Sequence, residues 1–254
     1  MSDTSFRIER RGEIAIVSMA RGAVNALDLA AVEQLYEALA SLAKDETLAA
    51  LVLTGAGSAF CAGLDLRAVP QYGAAEQRAL VEGLNRLFGG LYGFPRPTVA
   101  AINGHAIAGG MVLALACDHR VCTTGKAALG LTEVKVGVPF PVAAIEVARS
   151  ELFPAAARAL VLFGRLIGAD QALAWGVVDE LAAPDTVLER ACAEAATLAT
   201  LPPNTFTGVK RSLRQTPLAR IRAAIEDGED PTLENWLSAE TVEAAAKMLA
   251  GRAA

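Results

Sequence analysis

Two glycine-containing stretches decide the fold of this chain: AFCAGLDL at residues 59–66 and AINGHAIAGG at residues 101–110. Each lies at the end of a short apolar run that is typical of a buried strand, AALVLT at residues 49–54 and TVAAI at residues 98–102. The second stretch ends in two glycines, after which MVLAL at residues 111–115 is predicted to continue as a helix. The sequence therefore predicts consecutive strand–loop–helix units whose loops are rich in glycine.

The segments around these two loops carry the same alternation of strands and helices. Ile and Val residues that alternate over 8–19, with RGE at 11–13 as a turn, predict a hairpin of two strands. Asp28 is a candidate N-cap for the next helix, and further along we expect a helix over 74–91 and a strand over 119–122. Strands that alternate with helices indicate a layered α/β architecture.

The C-terminal part of the chain is predicted to be mainly helical. Few strand patterns occur beyond Ala143, and Pro202 and Pro203 mark a hinge before helices over 205–249. We therefore expect a core over residues 1–200 and a C-terminal helical region over residues 201–254.

Composition and charge argue against several classes of protein. With 254 residues, 53% of them hydrophobic, the chain is long enough to bury a large core. Its net charge of −5 argues against nucleic acid as a partner. The N-terminus lacks the apolar region of a secretory signal, and polar residues and glycines interrupt the most apolar stretch, 99–117. We expect a soluble, cytoplasmic protein with no membrane partner.

Motifs for metals, nucleophiles and dinucleotides are missing or weak in this sequence. The four cysteines form no C-x-x-C pair and the two histidines are too few for a His-rich site, so we expect no metal and reduced, buried thiols. The G-x-S-x-G sequence of serine hydrolases is absent. The GAG turn at residues 55–57 lacks the third glycine and the following acidic residue of a dinucleotide-binding loop.

A series of short motifs runs along the chain. They are VNAL at 24–27, FCAGLDL at 60–66, AING at 101–104, GG at 109–110, CD at 117–118, GLTE at 130–133, VGVP at 136–139, ADQA at 169–172 and WGVV at 175–178. In this order they resemble the crotonase superfamily, also called the enoyl-CoA hydratase/isomerase family. The resemblance implies a crotonase-like spiral of ββα units, a helical C-terminal region that builds homotrimers or dimers of trimers, and an acyl-CoA substrate. It implies no prosthetic group, because the substrate itself carries coenzyme A.

Two backbone amides and one carboxylate are implied as the catalytic groups. The resemblance assigns the N–H groups of Leu64 and Gly109 to an oxyanion hole, where two donors stabilise the enolate oxygen of a thioester. Gly109 opens a helix, and free N–H groups and the helix dipole favour an anion there. Glu133 matches the base of the family, and its apolar neighbours are expected to raise its pKa toward neutrality.

Val112 occupies the position at which the hydratases of the family carry another glutamate. Adding water requires a water molecule to be held and deprotonated, which two carboxylates share, whereas moving a double bond requires one base. The resemblance therefore favours a Δ3,Δ2-enoyl-CoA isomerase. The alternatives are an enoyl-CoA hydratase, another crotonase-type lyase or hydrolase, and a non-catalytic CoA-binding subunit.

Coenzyme A is expected to lie along the first loop. The resemblance implies contacts from Ala23, Val24, Ala62, Leu64, Asp65, Arg67 and Gly109. Arg67 offers a positive charge for a phosphate, and Asp65 is expected to cap the helix that follows. His105 is interpreted as a packing residue or as support for its loop, and residues 72–91 and Trp236 are expected to shape the acyl pocket.

Overall fold

The computed structural model describes residues 4–228, 230–233, 236, 241–244 and 246–247. The strands are β1 (Phe6–Arg11), β2 (Ile14–Met19), β3 (Ala50–Gly55), β4 (Ala59–Cys61), β5 (Thr98–Ile102), β6 (His105–Ile107), β7 (His119–Thr123), β8 (Leu129–Gly130) and β9 (Glu180–Ala182). Six of them form a sheet in the order β1-β2-β3-β5-β7-β9, and three form a smaller sheet in the order β4-β6-β8. Every strand pair in these two sheets is parallel except the predicted β1–β2 hairpin.

Helices connect the strands and form the C-terminal part of the chain. They are α1 (Leu29–Ala43), α2 (Ala74–Tyr92), α3 (Gly109–Ala116), α4 (Val142–Glu151), α5 (Pro154–Ala157), α6 (Ala169–Ala174), α7 (Val187–Ala199), α8 (Pro203–Leu213) and α9 (Gln215–Glu226). Short 3₁₀ turns cover Val69–Gln71 and Glu133–Lys135, and a π-helical turn covers Arg158–Leu162. The helix α1 begins where the sequence predicts, because Asp28 accepts a 2.9 Å hydrogen bond from the Ala31 amide.

The chain repeats one pattern as it winds along the sheets. Strands β3, β5 and β7 lie side by side in the large sheet, and the short strands β4, β6 and β8 of the small sheet follow them in turn. Helices α2 and α3 then lead back to the next strand of the large sheet, as parallel pairing requires. This is the ββα spiral that the resemblance implies, so the predicted α/β fold class is confirmed.

The centre of the large sheet is buried on both faces. All residues of β3 and β5 are buried, as expected for parallel strands that are covered by helices on both sides. One face belongs to the main apolar core with α1, α2 and α3, and the other packs against α7 in a cluster that includes Val52, Val99 and Ala191. These two layers fix the ends of the strands and therefore the loops that follow them.

Buried ion pairs join the C-terminal helices to the core. Asp118 precedes β7 and pairs with Lys210 of α8 at 2.7 Å and with Arg214 at 3.0 Å. Breaking such a pair leaves an uncompensated buried charge, so these contacts hold α8 and α9 in place. The division between a core over 1–200 and a helical region over 201–254 stays a prediction, and residues 248–254 lie outside the described residues.

Three of the four cysteines are fully buried, as the composition predicts. Cys61, Cys117 and Cys122 are buried and Cys192 is half-buried, and all four thiols are free. Within the described residues, no helix combines the length and the apolar character that crossing a bilayer requires.

Candidate active site

The fold brings the two glycine-containing loops into direct contact. Gly63 has a φ of 80°, and a Cβ added to it would lie 2.7 Å from the Cβ of Ala108 and 3.1 Å from the nitrogen of Gly109. Gly63 is therefore the residue that allows the close approach, because any side chain would collide with the other loop. The loops at 59–66 and 101–110 are thus packed against each other.

The amides of Leu64 and Gly109 have no acceptor among the residues that the structure describes. Leu27 holds the backbone on both sides of Leu64: its amide donates to Gly63 at 2.7 Å, and its carbonyl accepts from Asp65 at 2.8 Å. Gly109 is the first residue of α3, where the amide has no carbonyl to bind within the helix. Both N–H groups are therefore available to a ligand.

Ala108 belongs to the second loop, faces Gly63 of the first loop and has a strained conformation. Its φ of 54° and ψ of −127° fall in a region that residues with a Cβ rarely adopt, which costs about 1–3 kcal/mol. The conformation is fixed because the Ala108 amide donates to Gly130 at 2.8 Å, while its carbonyl accepts from Met111 and Val112. The strain sets the direction in which α3, and with it the Gly109 amide, begins.

Glu133 supplies a buried carboxyl near these loops. It begins the 3₁₀ turn three residues after Gly130, whose carbonyl binds Ala108, and only 7% of Glu133 is exposed. Its Oε2 atom has no hydrogen-bond partner among the described residues. Burial raises the pKa of Glu133 to about 8, against a smaller opposing effect of its own amide. This side chain can therefore exchange a proton with a bound molecule near neutral pH.

Val112 lies in the first turn of α3, and its side chain is fully buried. It cannot accept or donate a hydrogen bond. A water molecule next to this side chain would therefore find no hydrogen-bond partner in it.

Three of the residues expected to contact coenzyme A, Ala23, Val24 and Arg67, are exposed on or beside the first loop. Ala23 and Val24 are exposed, and the Val24 carbonyl accepts a 3.0 Å hydrogen bond from the Ala62 amide. Arg67 is also exposed. The structure therefore joins Val24 to the first loop and leaves Ala23, Val24 and Arg67 open to solvent.

Asp65 caps the turn at residues 66–68 and not the helical segment that follows this turn. The next helical segment, Val69–Gln71, begins after Ala68 without a side-chain cap. Asp65 instead accepts from the Arg67 amide at 3.0 Å and pairs with Arg21 at 2.9 Å. Burial alone would raise the pKa of Asp65, but Arg21 and the Arg67 amide lower it overall.

Arg21 and Asn25 support the first loop, and sequence reasoning assigned them no role. Asn25 has a φ of 52° and is 1% exposed, and its side-chain amide donates to the carbonyls of Ala56, Ala59 and Phe60 at 2.8–3.2 Å. Arg21 pairs with Asp28 as well as with Asp65. The available signal was an asparagine inside an apolar motif, since asparagine tolerates a left-handed conformation.

The structure also describes His105 and Trp236, which were predicted to support a loop and to shape the acyl pocket. His105 is exposed, and its Nδ1 accepts a 3.1 Å hydrogen bond from the Ala128 amide, so its predicted role in loop support is confirmed. Trp236 is buried, and its Nε1 donates to the Pro139 carbonyl at 2.9 Å. Its predicted contribution to an acyl pocket stays a prediction.

One cluster of potential metal ligands lies at the far edge of the large sheet. His119, Glu180 and Glu194 bring ligand atoms within 4.8 Å of one another. Arg190 already bridges the two carboxylates, at 2.6 Å and 2.8 Å. The guanidinium therefore supplies the positive charge of this cluster.

A parallel ββα spiral that brings two such loops together is the architecture of crotonase-class proteins. The chain belongs to the enoyl-CoA hydratase/isomerase family, whose model matches residues 9–249. A Thermus thermophilus protein provisionally named an enoyl-CoA hydratase is 42% identical over 197 residues, which are 76% of this chain and 76% of that protein. A Salmonella arizonae carnitinyl-CoA dehydratase is 32% identical over 213 residues, 84% of this chain and 81% of that protein.

A solved structure gives the same result for the fold. An enoyl-CoA isomerase of Mycobacterium tuberculosis matches with a TM-score of 0.81 and 33% identity, over 89% of this chain and 97% of that chain. Family membership identifies this chain as an enzyme of the enoyl-CoA hydratase/isomerase type.

Proposed function

We propose that this enzyme is a Δ3,Δ2-enoyl-CoA isomerase. The observation that carries the proposal is a buried carboxyl, Glu133, together with a buried aliphatic side chain, Val112, which by resemblance takes the place of the first of the two hydratase glutamates. A single base is sufficient to move a double bond, whereas adding water needs a second group that holds and deprotonates the water.

In the proposed reaction, Glu133 removes a proton from C2 of a 3-enoyl thioester and returns it at C4. The electron pair of the broken C–H bond forms the new C2–C3 double bond, and the former C3–C4 pair takes up the proton at C4. In between, a dienolate exists whose charge lies largely on the thioester oxygen. The Leu64 and Gly109 amides donate hydrogen bonds to that oxygen.

The energetics of the site support this assignment. Because neither amide has an acceptor among the described residues, no protein hydrogen bond is broken when the substrate oxygen arrives. Each such donor typically contributes about 10²–10³ in rate. A base with a pKa of about 8 is also a stronger proton acceptor than an exposed glutamate and releases the proton near neutral pH.

A hydratase or dehydratase is the second candidate. The names of the Thermus thermophilus and Salmonella arizonae relatives favour it. A group other than Val112 would then have to hold the water. Another crotonase-type lyase or hydrolase and a non-catalytic CoA-binding subunit remain alternatives, since a shared fold does not fix the reaction.

We propose that coenzyme A lies along the outer edge of the first loop. Ala23, Val24 and Ala62 offer backbone groups there, and the exposed Arg67 offers a charge for a phosphate. Asp65 contributes through the loop conformation that its contacts to Arg21 and Arg67 maintain. The proposed reaction needs no prosthetic group.

We propose a homotrimer or a dimer of trimers as the assembly. Support comes from exposed large apolar side chains between the end of α4 and the end of α6, a composition that is typical of an interface. They are Phe153, Leu162, Phe163, Leu166 and Leu173. Cytoplasmic localisation, and the expectation that neither nucleic acid nor a membrane is a partner, stay predictions.

The test is the activity of Glu133→Gln on trans-3-hexenoyl-CoA. Loss of a general base predicts a fall in kcat of at least about 10²-fold. The exposed Glu37→Gln is the matched control and should keep wild-type turnover. Turnover retained by the folded Glu133→Gln protein would contradict the single-base mechanism.

A further inference from the structure

The C-terminal segment is hydrogen-bonded to the loop that follows Glu133. Asp230 accepts from the Val142 amide at 2.8 Å, Trp236 donates to the Pro139 carbonyl at 2.9 Å, and Thr241 donates to the Gly137 carbonyl at 2.6 Å. The partners are 88, 97 and 104 residues apart in the chain. We call Asp230, Trp236 and Thr241 the C-terminal strap.

Asp230 is the most strongly bound member of the strap. Only 4% of it is exposed, and its carboxylate accepts from the Asn85 side chain, the Val142 amide, and both the amide and the hydroxyl of Thr232, at 2.6–2.8 Å. Asn85 in turn accepts from the Ala143 amide at 2.8 Å. The helix α4 has no side-chain cap of its own, so Asp230 and Asn85 satisfy its first two amides. The positive end of this helix favours the buried carboxylate.

The strap binds the loop whose neighbouring amides are hydrogen-bonded to the backbone of Glu133. The Glu133 carbonyl accepts from the amides of Val136 and Val138, at 3.0 Å and 3.1 Å, which closes the turn that carries the carboxyl. Gly137, the partner of Thr241, lies between these two donors. Pro139 and Val142 continue the same loop into α4, so the strap holds the loop at three successive points.

No ion pair holds Glu133 among the described residues. Lys135 of the same turn is exposed, and Arg158 and Arg165 in the segment packed against the turn form no ion pair with Glu133. The carboxyl is thus buried without an ion pair, on a turn that the Val136 and Val138 amides close. A segment that fixes the loop therefore also fixes the environment of the base.

We propose that Asp230, Trp236 and Thr241 are positioning residues that keep the Glu133 loop closed and exclude water from the base. The assignment of Glu133 as the base rests on the proposed function, whereas closure of the loop does not. None of the three is a catalytic residue, because each acts on the backbone of the loop.

The experiment compares Asp230→Asn with Asp227→Asn. The first substitution would turn an N–H₂ group toward donors that now face a carboxylate, while Asp227 is exposed and lies just after α9. Hydrogen exchange of the Val136 and Val138 amides should be about tenfold faster or more in Asp230→Asn, which corresponds to the loss of one hydrogen bond. Exchange in Asp227→Asn should equal that of the wild type. Trp236→Phe removes the indole N–H together with part of the buried ring, and gives the same readout if Asp230→Asn does not fold.

The pH profile separates positioning of the base from a merely structural role. Water that enters an opened loop lowers the pKa of Glu133 from about 8, so the rise of kcat/KM with pH should shift down by about one unit or more. Unchanged exchange, or faster exchange with an unshifted profile, would overturn the proposal. Amide exchange needs no substrate, so a wild-type enzyme without turnover would contradict the proposed function and leave the exchange test of the strap decisive.

Discussion

Replacing Glu133 with glutamine should stabilise the protein at high pH and leave its stability nearly unchanged at low pH. Burial raises the pKa of Glu133 from 4.5 to about 8, so the folded protein keeps a proton that the unfolded chain releases near pH 4.5. Between these two pKa values the folded state binds more protons than the unfolded state. The free energy of unfolding of the wild type therefore falls as the pH rises through this window.

The magnitude follows from the same two pKa values. At about 1.4 kcal/mol per pH unit, ionisation of the buried Glu133 lowers the free energy of unfolding of the wild type by up to about 5 kcal/mol above pH 8. Glutamine is neutral at every pH and has nearly the same shape. The difference in free energy of unfolding, Glu133→Gln minus wild type, should thus be close to zero at pH 4 and approach this value at pH 9.

Urea unfolding of both proteins at pH 4, 7 and 9, at one protein concentration, measures this difference. The exposed Glu37→Gln should show no comparable trend with pH. A Glu133→Gln difference that stays constant from pH 4 to pH 9 would refute the reasoning, because Glu133 would then titrate like an exposed carboxyl.

Two further substitutions test the geometry of the loops. Gly63→Ala and Gly57→Ala both force alanine into a left-handed conformation, at a cost of about 1–2 kcal/mol in stability, but only the Cβ at position 63 meets another loop. Gly63→Ala alone should lose about 10²-fold or more in kcat, and equal kcat values for the two variants would contradict contact between the loops at the active site. Ala108→Gly should raise the free energy of unfolding by about 1 kcal/mol. Glycine adopts this conformation without strain, which stabilises the folded state, but it also raises the conformational entropy of the unfolded chain, which offsets part of that stabilisation. A urea midpoint below that of the wild type would show that Ala108 is not strained.

The elements predicted from local patterns agree with the structure. They are the β1–β2 hairpin, the capped helix α1 and the strands before both loops. Each is specified by residues that are close together in the sequence, through their apolar periodicity or through a capping side chain. The small sheet was not predicted, because β4, β6 and β8 have only three, three and two residues, too few for a period to appear. Its existence depends on pairing between distant segments.

The supports of the candidate site could not be predicted for the same reason. Asp65 was expected to cap a helix, but its partner Arg21 lies 44 residues away. The C-terminal strap contacts a loop about a hundred residues earlier in the chain. Glu133 and Gly109 were found because their motifs resemble a family, whereas the burial that raises the pKa of Glu133 is a property of the folded chain.

The most direct test of the central claim is a comparison of the purified enzyme on trans-3-hexenoyl-CoA and on crotonyl-CoA, with the products identified by mass and chromatography. An isomerase with one carboxyl base should convert the first into a 2-enoyl thioester of unchanged mass and add little water to the second. Addition of water to crotonyl-CoA at a comparable rate would contradict the account, because Val112 would then not prevent hydration.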